Sequence, residues 1–347
     1  MKRFIALILC LIMVFALAAC GQEAAPAAAP AAQEAAPAAE APAAETIVLK
    51  ANHAVAETHP YHLGLLKFAE LVNERTNGQV VVEVHSQAEL GDERASIESL
   101  QMGTLDVLCT STGPVGNFVP DFLVLDLPYL FPDTETARAV LDSEIGEGLL
   151  GQLQDLGITG AAFWENGFRQ LTNSKNPINT LADCKGLKIR CMENEIHQAA
   201  FSAMGLNAEP YAWAEVFTML QTKAFDGQEN PIAIIASSKI YEVNQYMAIT
   251  NHVYSPSALL ISNMALAKLD QATQDILLQA AKEAGTYERD LLTQSEQENI
   301  KICEENGMTV TYPDLTEFIE VARSVYPKYA DRFSDGLLDA VLAATSK

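Results

Sequence analysis

Three polar side chains near the middle of the chain have the types and spacing to hold a small acid. Arg190 ends the short strand-like run Gly186-Leu187-Lys188-Ile189-Arg190. A guanidinium keeps its proton in any protein, and its planar fork matches a carboxylate through two parallel hydrogen bonds. A buried Arg190 therefore calls for a carboxylate, supplied either by the fold as an internal salt bridge or by a bound acid. Arg169 could hold the same carboxylate or a second acidic or hydroxyl group; its plainer alternative is a surface charge beside a strand. Asn230, in Asp226-Gly227-Gln228-Glu229-Asn230-Pro231, offers a donor and an acceptor, which suits a carboxylate flanked by a hydroxyl or keto oxygen. Its structural alternative is a turn-former before Pro231.

Secondary candidates surround these three. Glu93, Thr112, Tyr211 and Trp213 could supply hydroxyl contacts or an aromatic wall, although an aromatic inside a helical pattern commonly belongs to the core. His53, at the exit of the first strand, joins the ligand-contact candidates, and His252 is either a core hydrogen-bonder or a contact. His59 and His62 have H-x-x-H spacing, but Pro60 at a helix start explains His59 as an edge residue, so no metal or cofactor is expected. The chain has no G-x-S-x-G elbow, H-E-x-x-H or P-loop, which argues against an exported hydrolase or other enzyme.

The elements that must position these groups alternate. Strand patterns at Thr46–Ala51, Gln79–His85 and Leu105–Thr110 are separated by helical patterns at Pro60–Asn77 and Asp92–Met102. The rhythm resumes with strands at Ile158–Trp164 and Arg169–Thr172 around Glu165-Asn166-Gly167, then a strand at Leu187–Met192. Helices at Glu195–Met204 and Trp213–Gln221 follow, then strands at Gln245–Thr250 and Ser257–Ile261. Ala272–Glu305 contains no proline and one glycine, Gly285, and predicts one long helix with a bend there. This order predicts an α/β fold with helices on both sheet faces. Ligands in such sheets bind beyond the carboxyl ends of strands, so Ser111-Thr112-Gly113, Asn166-Gly167 and Glu229-Asn230 are expected to converge.

The beginning of the chain indicates where it works. Lys2 and Arg3, the apolar run Phe4–Ala16 and Leu17-Ala18-Ala19-Cys20-Gly21 describe an export signal whose last cysteine looks like a lipobox; lipid would then be attached to Cys20, with residues 1–19 removed. Residues 20–45 are dominated by Ala, Pro, Glu and Gln, and read as a disordered tether. The remainder is long enough for two domains. The net charge of −23 becomes about −25 without Lys2 and Arg3, a field that repels nucleic acid and anionic headgroups. Cys109, Cys184, Cys191 and Cys303 lack C-x-x-C spacing; one or two disulfides or buried free thiols fit them equally, with Cys184–Cys191 a doubtful pair across an extended segment.

Several motifs in order resemble the solute-binding proteins of tripartite ATP-independent periplasmic (TRAP) transporters. They are Leu90-Gly91-Asp92-Glu93-Arg94, Gly167-Phe168-Arg169, Lys188-Ile189-Arg190, Ala212-Trp213-Ala214-Glu215 with Leu220-Gln221, Asp226-Gly227 and Asn230-Pro231. The resemblance covers nearly all of the chain after the tether. It implies a two-lobed periplasmic-binding-protein fold with hinge strands and a long helix spanning both lobes. Lobe I would comprise 46–166 and 256–294, and lobe II 167–255 and 295–347. It further implies that Arg190 holds the ligand carboxylate with Asn230 in support, that the chain is no enzyme, and that TRAP membrane subunits are its partners. Sugar acids such as hexuronates suit the hydroxyl-capable residues, and four-carbon dicarboxylates suit two arginines. A lipoprotein that senses its ligand for a receptor would share the same fold and site. One departure is Lys223, where a helix-ending glycine is usual.

Overall fold

The computed structural model describes residues 46–346; the export signal, Cys20 and the tether lie outside the described residues. The strands are β1 (Ile47–Asn52), β2 (Val80–His85), β3 (Val107–Ser111), β4 (Ile158–Asn173), β5 (Lys188–Cys191), β6 (Asn207–Pro210), β7 (Gly227–Pro231), β8 (Tyr246–Ala248), β9 (Tyr254–Ser262) and β10 (Thr309–Thr311). They lie in the order β2-β1-β3-β9-β4-β7-β5-β6, with β8 joining β4 to β10 at the side. β1 is parallel to β2 and β3, and β5 is parallel to β6 and β7, as the expected β-α-β units require. The α/β expectation holds, and helices cover the sheet faces.

β4 joins the two halves of this architecture. Its first part pairs antiparallel with β9, and Arg169–Asn173 pairs with β7 and, in part, β8. The sequence pattern predicted two strands separated by a loop at Glu165-Asn166-Gly167; the structure has one strand of 16 residues. A register shift between Glu165 and Gly167 accommodates the extra residue, and Gly167 at φ 106° takes a conformation closed to other side chains. A bulge thus does what a loop was expected to do, and the strand passes from one sheet into the other without ending.

The long helix is one element, Gln271–Glu305, started by the Asp270 carboxylate accepting from the Thr273 amide at 2.8 Å. Leu277, Ala280, Ala281 and Ala284 pack with the core of β1, β3 and the Pro60–Arg75 helix. Ile300 and Cys303 pack instead with Val216, Leu220, Ile235 and Met247, under the second half of the sheet. The helix therefore spans both halves. Gly285 has a packing reason: a Cβ there would lie 2.6 Å from Cδ1 of Trp164, the fully buried indole of β4.

Near the end of the chain, Val325, Tyr329, Phe333 and Val341 join a core that holds Phe122, Leu149 and Ile158 and also Ile196, and Tyr329 donates to the Glu195 carbonyl at 3.1 Å. The last helix, Leu337–Thr345, packs its apolar side chains on the helices of 120–152. The four cysteines from Cys109 onward are all free and buried. Lys223 has φ 62°, the left-handed value that a helix-ending glycine would supply.

Candidate ligand-binding site

Arg190 lies near the end of β5 and is 2% exposed. Its Nε and Nη2 both donate to the carbonyl oxygen of Tyr211, at 2.8 and 2.5 Å. The guanidinium stacks 5.7 Å from the ring centre of Trp213, which opens the Trp213–Gln221 helix. Among the described residues no acidic side chain forms a salt bridge with it, and Nη1 makes no hydrogen bond. The internal-salt-bridge alternative for Arg190 is thereby removed. Burial pushes its pKa down, with the Glu229 charge as the main opposing influence. An arriving anion would restore the lost stabilisation of its charge.

The buried ion pair belongs to Arg169 instead. This side chain is fully buried on β4, donates through Nε and Nη2 to the Glu229 carboxylate, and through Nη2 also to the Asn230 side-chain oxygen at 3.0 Å. The surface-charge alternative is excluded by its burial. The register that sets Arg169 opposite Pro231 and Gln170 opposite Asn230 brings the two strands' polar groups together. His252 completes the group: Nε2 is 3.1 Å from Glu229 and Nδ1 is 2.8 Å from the Thr250 hydroxyl. Burial lowers the His252 pKa, so the imidazole is neutral; it donates from Nε2, because an ionised carboxylate only accepts. Burial acts to raise the Glu229 pKa, but the Arg169 charge leads the opposing influences and holds it well below the usual carboxylate range. Arg169 Nη1 is buried without a partner. Asn230 is oriented from both sides, by Arg169 on its oxygen and by Gln228 accepting from its amide at 2.5 Å.

Arg190 and Asn230 line one small cavity of about 20 Å³ together with Tyr61, Glu93, Ser111 and Trp213. A second, of about 10 Å³, is also lined by Arg190, with Glu93, Tyr211 and Trp213 among others. Volumes of this size hold about one water; a sugar acid enters only if the walls part. Glu93 stands at the first position of the Glu93–Met102 helix, and its Oε1 accepts from the Ser111 amide at 2.9 Å and the Thr110 hydroxyl at 3.1 Å. Tyr211 serves through its carbonyl; the residue is 37% exposed and its ring packs edge-on against Phe225.

Two candidates lie off the cavity wall. Thr112 is buried and donates to the Pro256 carbonyl at 3.2 Å. His53 is buried against His62, with 3.0 Å between Nε2 and Nδ1, and burial followed by the His62 charge brings its pKa down to about 3. His59 caps the Pro60–Arg75 helix by accepting from the Tyr61 amide at 3.1 Å. Among the described residues no cluster of three or more His, Cys, Asp or Glu side chains forms a metal site. Asn166 donates to the Ser111 hydroxyl at 3.1 Å, so the three loops expected to converge do meet, two of them as strand ends and one as a bulge. Sequence reasoning missed Tyr61, whose buried hydroxyl has no partner and whose ring lines the cavity. It sits one residue after Pro60, a position that reads only as a helix start.

A two-halved α/β fold, a long helix bridging it and a buried arginine lining a small cavity are the features of a solute-binding protein. Residues 51–332 match the bacterial extracellular solute-binding protein family 7, and the chain belongs to that family, the TRAP solute-binding proteins. It is 36% identical over 262 residues to the 2,3-diketo-L-gulonate-binding periplasmic protein YiaO of Escherichia coli, covering 76% of this chain and 80% of that one. It is 33% identical over 311 residues to the C4-dicarboxylate-binding periplasmic protein DctP of Rhodobacter capsulatus, covering 88% and 92%. A TRAP solute-binding protein from Polaromonas bound to D-erythronate superposes with a TM-score of 0.84 at 38% identity, covering 87% and 100%. These relatives are binding proteins rather than enzymes, and the family works outside the cytoplasm.

Proposed function

We propose that the chain captures a small organic carboxylate between two lobes and delivers it to a TRAP-type secondary transporter in the membrane. The observation that carries this reading is Arg190: a buried guanidinium with no acidic partner among the described residues, lining a cavity with Asn230 held in a fixed orientation. A bound carboxylate supplies the missing partner, and the uncommitted Nη1 of Arg190 is the edge available to it. Arg169 supports from behind, by fixing Asn230 and by its own unpartnered Nη1.

The lobes divide at the bulge of β4. Residues 46–166 with 256–294 form one, and 167–255 with 295–347 the other, with the last helix packed against the first. The register shift at Glu165/Gly167 faces Ser255 and Pro256, so both crossings fall at the same level and form a hinge. The cavity is too small for a sugar acid in this structure, so ligand entry and release require the walls to part there. Sugar acids are favoured over four-carbon dicarboxylates because Tyr61, Glu93 and Ser111 put hydroxyl-binding groups in the wall. Relatives named for a diketo-gulonate and crystallised with D-erythronate support that order. The export signal and Cys20 support a lipid-anchored protein outside the cytoplasm.

A thermal-shift and calorimetric screen of residues 46–347 against sugar acids, dicarboxylates, keto acids and amino acids tests the reading. A ligand that binds only the folded state raises the melting temperature. One carboxylate class should do so; a folded, ligand-free preparation that responds to no acid would sink it.

A further inference from the structure

A cavity of about 350 Å³ opens beside the β4 bulge and shares no lining residue with the two small cavities at Arg190. Its volume is in the range of small-molecule sites. Glu165 of the bulge lines it, together with Glu135 and Arg138 of the Thr134–Leu141 helix and Glu296 of the long helix. Charge in this wall is unbalanced. Arg138 is its one basic side chain among the described residues, and it is already engaged. Its Nε donates to Glu165 Oε2 at 2.6 Å, and its Nη2 donates to the Arg289 carbonyl at 3.1 Å and the Thr293 hydroxyl at 3.0 Å. The Tyr254 hydroxyl donates to the same Oε2 at 3.0 Å, so Glu165, only 4% exposed, keeps an Oε1 with no hydrogen bond among the described residues. Glu135 and Glu296 stand at the exposed rim, and neither forms an ion pair or a hydrogen bond among the described residues. Partial loss of hydration, then the Glu165 charge, pushes the Glu296 carboxyl up from its ordinary value, as expected where acids share too little positive charge. Asn166, in the same wall, adds a buried side-chain oxygen without a partner.

We propose that this cavity is a second binding site, for a small organic ammonium ion, and that its occupant holds the hinge in the arrangement seen here. An ammonium brings donors only, which is what Glu165 Oε1 and the rim carboxylates lack. A bare metal ion fits less well, because no group of three or more ligating side chains converges among the described residues. A cation with charge at one end and carbon at the other suits both parts of the wall, the acids and the apolar face of Phe168, Ile232 and Leu292. The lining comes from both proposed lobes and from the bulge between them, so rotation about the bulge changes the shape of the cavity. A molecule that fits the cavity as it stands binds this arrangement better than a rotated one, and shifts the population toward it. On the reading that the lobes close on a carboxylate, which this last step rests on, cation and carboxylate tighten each other by the same factor.

Calorimetry on the full-length protein with benzylammonium, and with benzyl alcohol as its neutral counterpart, tests the site with no carboxylate ligand present. Benzylammonium should bind at one site, and benzyl alcohol about tenfold more weakly or worse, the difference one charge-assisted contact makes. The double variant Glu135→Gln/Glu296→Gln removes two rim charges that hold nothing else in place, and circular dichroism checks its fold. It should lose about three- to thirtyfold in affinity for benzylammonium, the worth of two partly exposed ion pairs. Glu317→Gln/Glu320→Gln lowers the net charge equally at exposed positions outside the cavity wall and should bind as the wild type does. No binding of benzylammonium, equal binding of the two compounds, or equal affinities in the two double variants overturns the site; equal losses in both variants would mark a cation held only by the general negative field. The hold on the hinge is read by titrating the tightest-binding acid of the thermal-shift screen with and without saturating benzylammonium, which should tighten it about fivefold or more. An unchanged acid affinity with benzylammonium bound overturns that hold alone. A protein that takes up benzylammonium and no acid overturns the capture reading and leaves the ammonium site standing.

Discussion

Replacing Arg190 with alanine removes a desolvated, charge-assisted contact, a change that costs about 2–5 kcal/mol, or roughly thirty-fold to several thousand-fold in affinity. The fold should survive, because no acidic side chain is left unpaired by the loss. Calorimetry against the best ligand checks this, and near-native affinity in a folded variant would remove Arg190 from the site. Glu229 predicts the opposite pattern. Glu229→Ala leaves the Arg169 charge buried without its partner, which costs about 3–5 kcal/mol of stability. Its pH dependence has a definite sign. Glu229 is held below its unfolded pKa, so its stabilisation is present above that value, near 4.3 in a free chain, and is lost as pH falls toward the folded value. Urea titrations from pH 7 to pH 3 should show Glu229→Gln losing part of the wild-type acid sensitivity; parallel profiles would refute the assignment. The sequence made Arg190 and Asn230 legible because strand-borne polar groups in a run of motifs stand out. It did not show that Glu229 belongs to Arg169, since that pairing depends on the β4–β7 register between residues sixty apart.

Among the elements, the long helix and β4 meet at Trp164, Glu165 and Glu288. The Trp164 indole donates to the Ala281 carbonyl at 3.0 Å, and Gly64 and Gly285 clear space on either side of its ring. Gly285→Ala would drive a methyl into that ring; overpacking of this kind costs about 1–3 kcal/mol, read as a lowered melting temperature with ligand binding retained. Glu288 is fully buried and accepts from the Glu165 amide, at the bulge, at 3.1 Å. Burial, reinforced by the Glu165 charge, raises its pKa well above the ordinary value. A raised carboxyl favours folding most below its unfolded pKa and loses that contribution as pH rises toward the folded value. Glu288→Gln keeps an acceptor for the Glu165 amide without a proton to lose, so it should be more stable than wild type above about pH 7 and show a flatter alkaline limb. A variant less stable than wild type at every pH, with the slope unchanged, would count against a buried neutral acid. The pattern along the chain revealed these elements well: Trp213–Gln221 has the expected limits, and the helix expected over Asp92–Met102 runs from Glu93 to Met102 with Asp92 as its cap. What it could not reveal was continuity. A bulge and a loop have the same composition, so Glu165-Asn166-Gly167 read as a break, and amphipathic helices near the chain end do not say which core they cover.

The whole molecule carries a net charge of −23 and is proposed to collect anions, so its long-range field and its binding site act in opposite directions. The field acts in water during encounter, where salt screens it over about 10 Å at 0.1 M. The contact at Arg190 acts after desolvation, where mobile ions do not reach. Encounter and retention should therefore respond differently to ionic strength. Trp213 provides the signal, since it lines the cavity beside Arg190, whereas Trp164, the other tryptophan, is fully buried in the core. In stopped-flow fluorescence with a singly charged sugar acid, the association rate constant should rise as salt increases from about 10 mM to 500 mM, a range over which the screening length shrinks several-fold. The dissociation rate constant should change far less, because it reports breaking the enclosed contact and opening the hinge. Affinity then improves modestly with salt, contrary to the usual behaviour of an ion pair. The sign is the decisive feature. An association rate that falls with salt would mean that a local positive field at the cleft mouth guides the ligand and outweighs the net charge. A dissociation rate that climbs steeply with salt would place the anchoring contact in solvent, and with it would go the picture of an acid held at Arg190 inside a closed cleft.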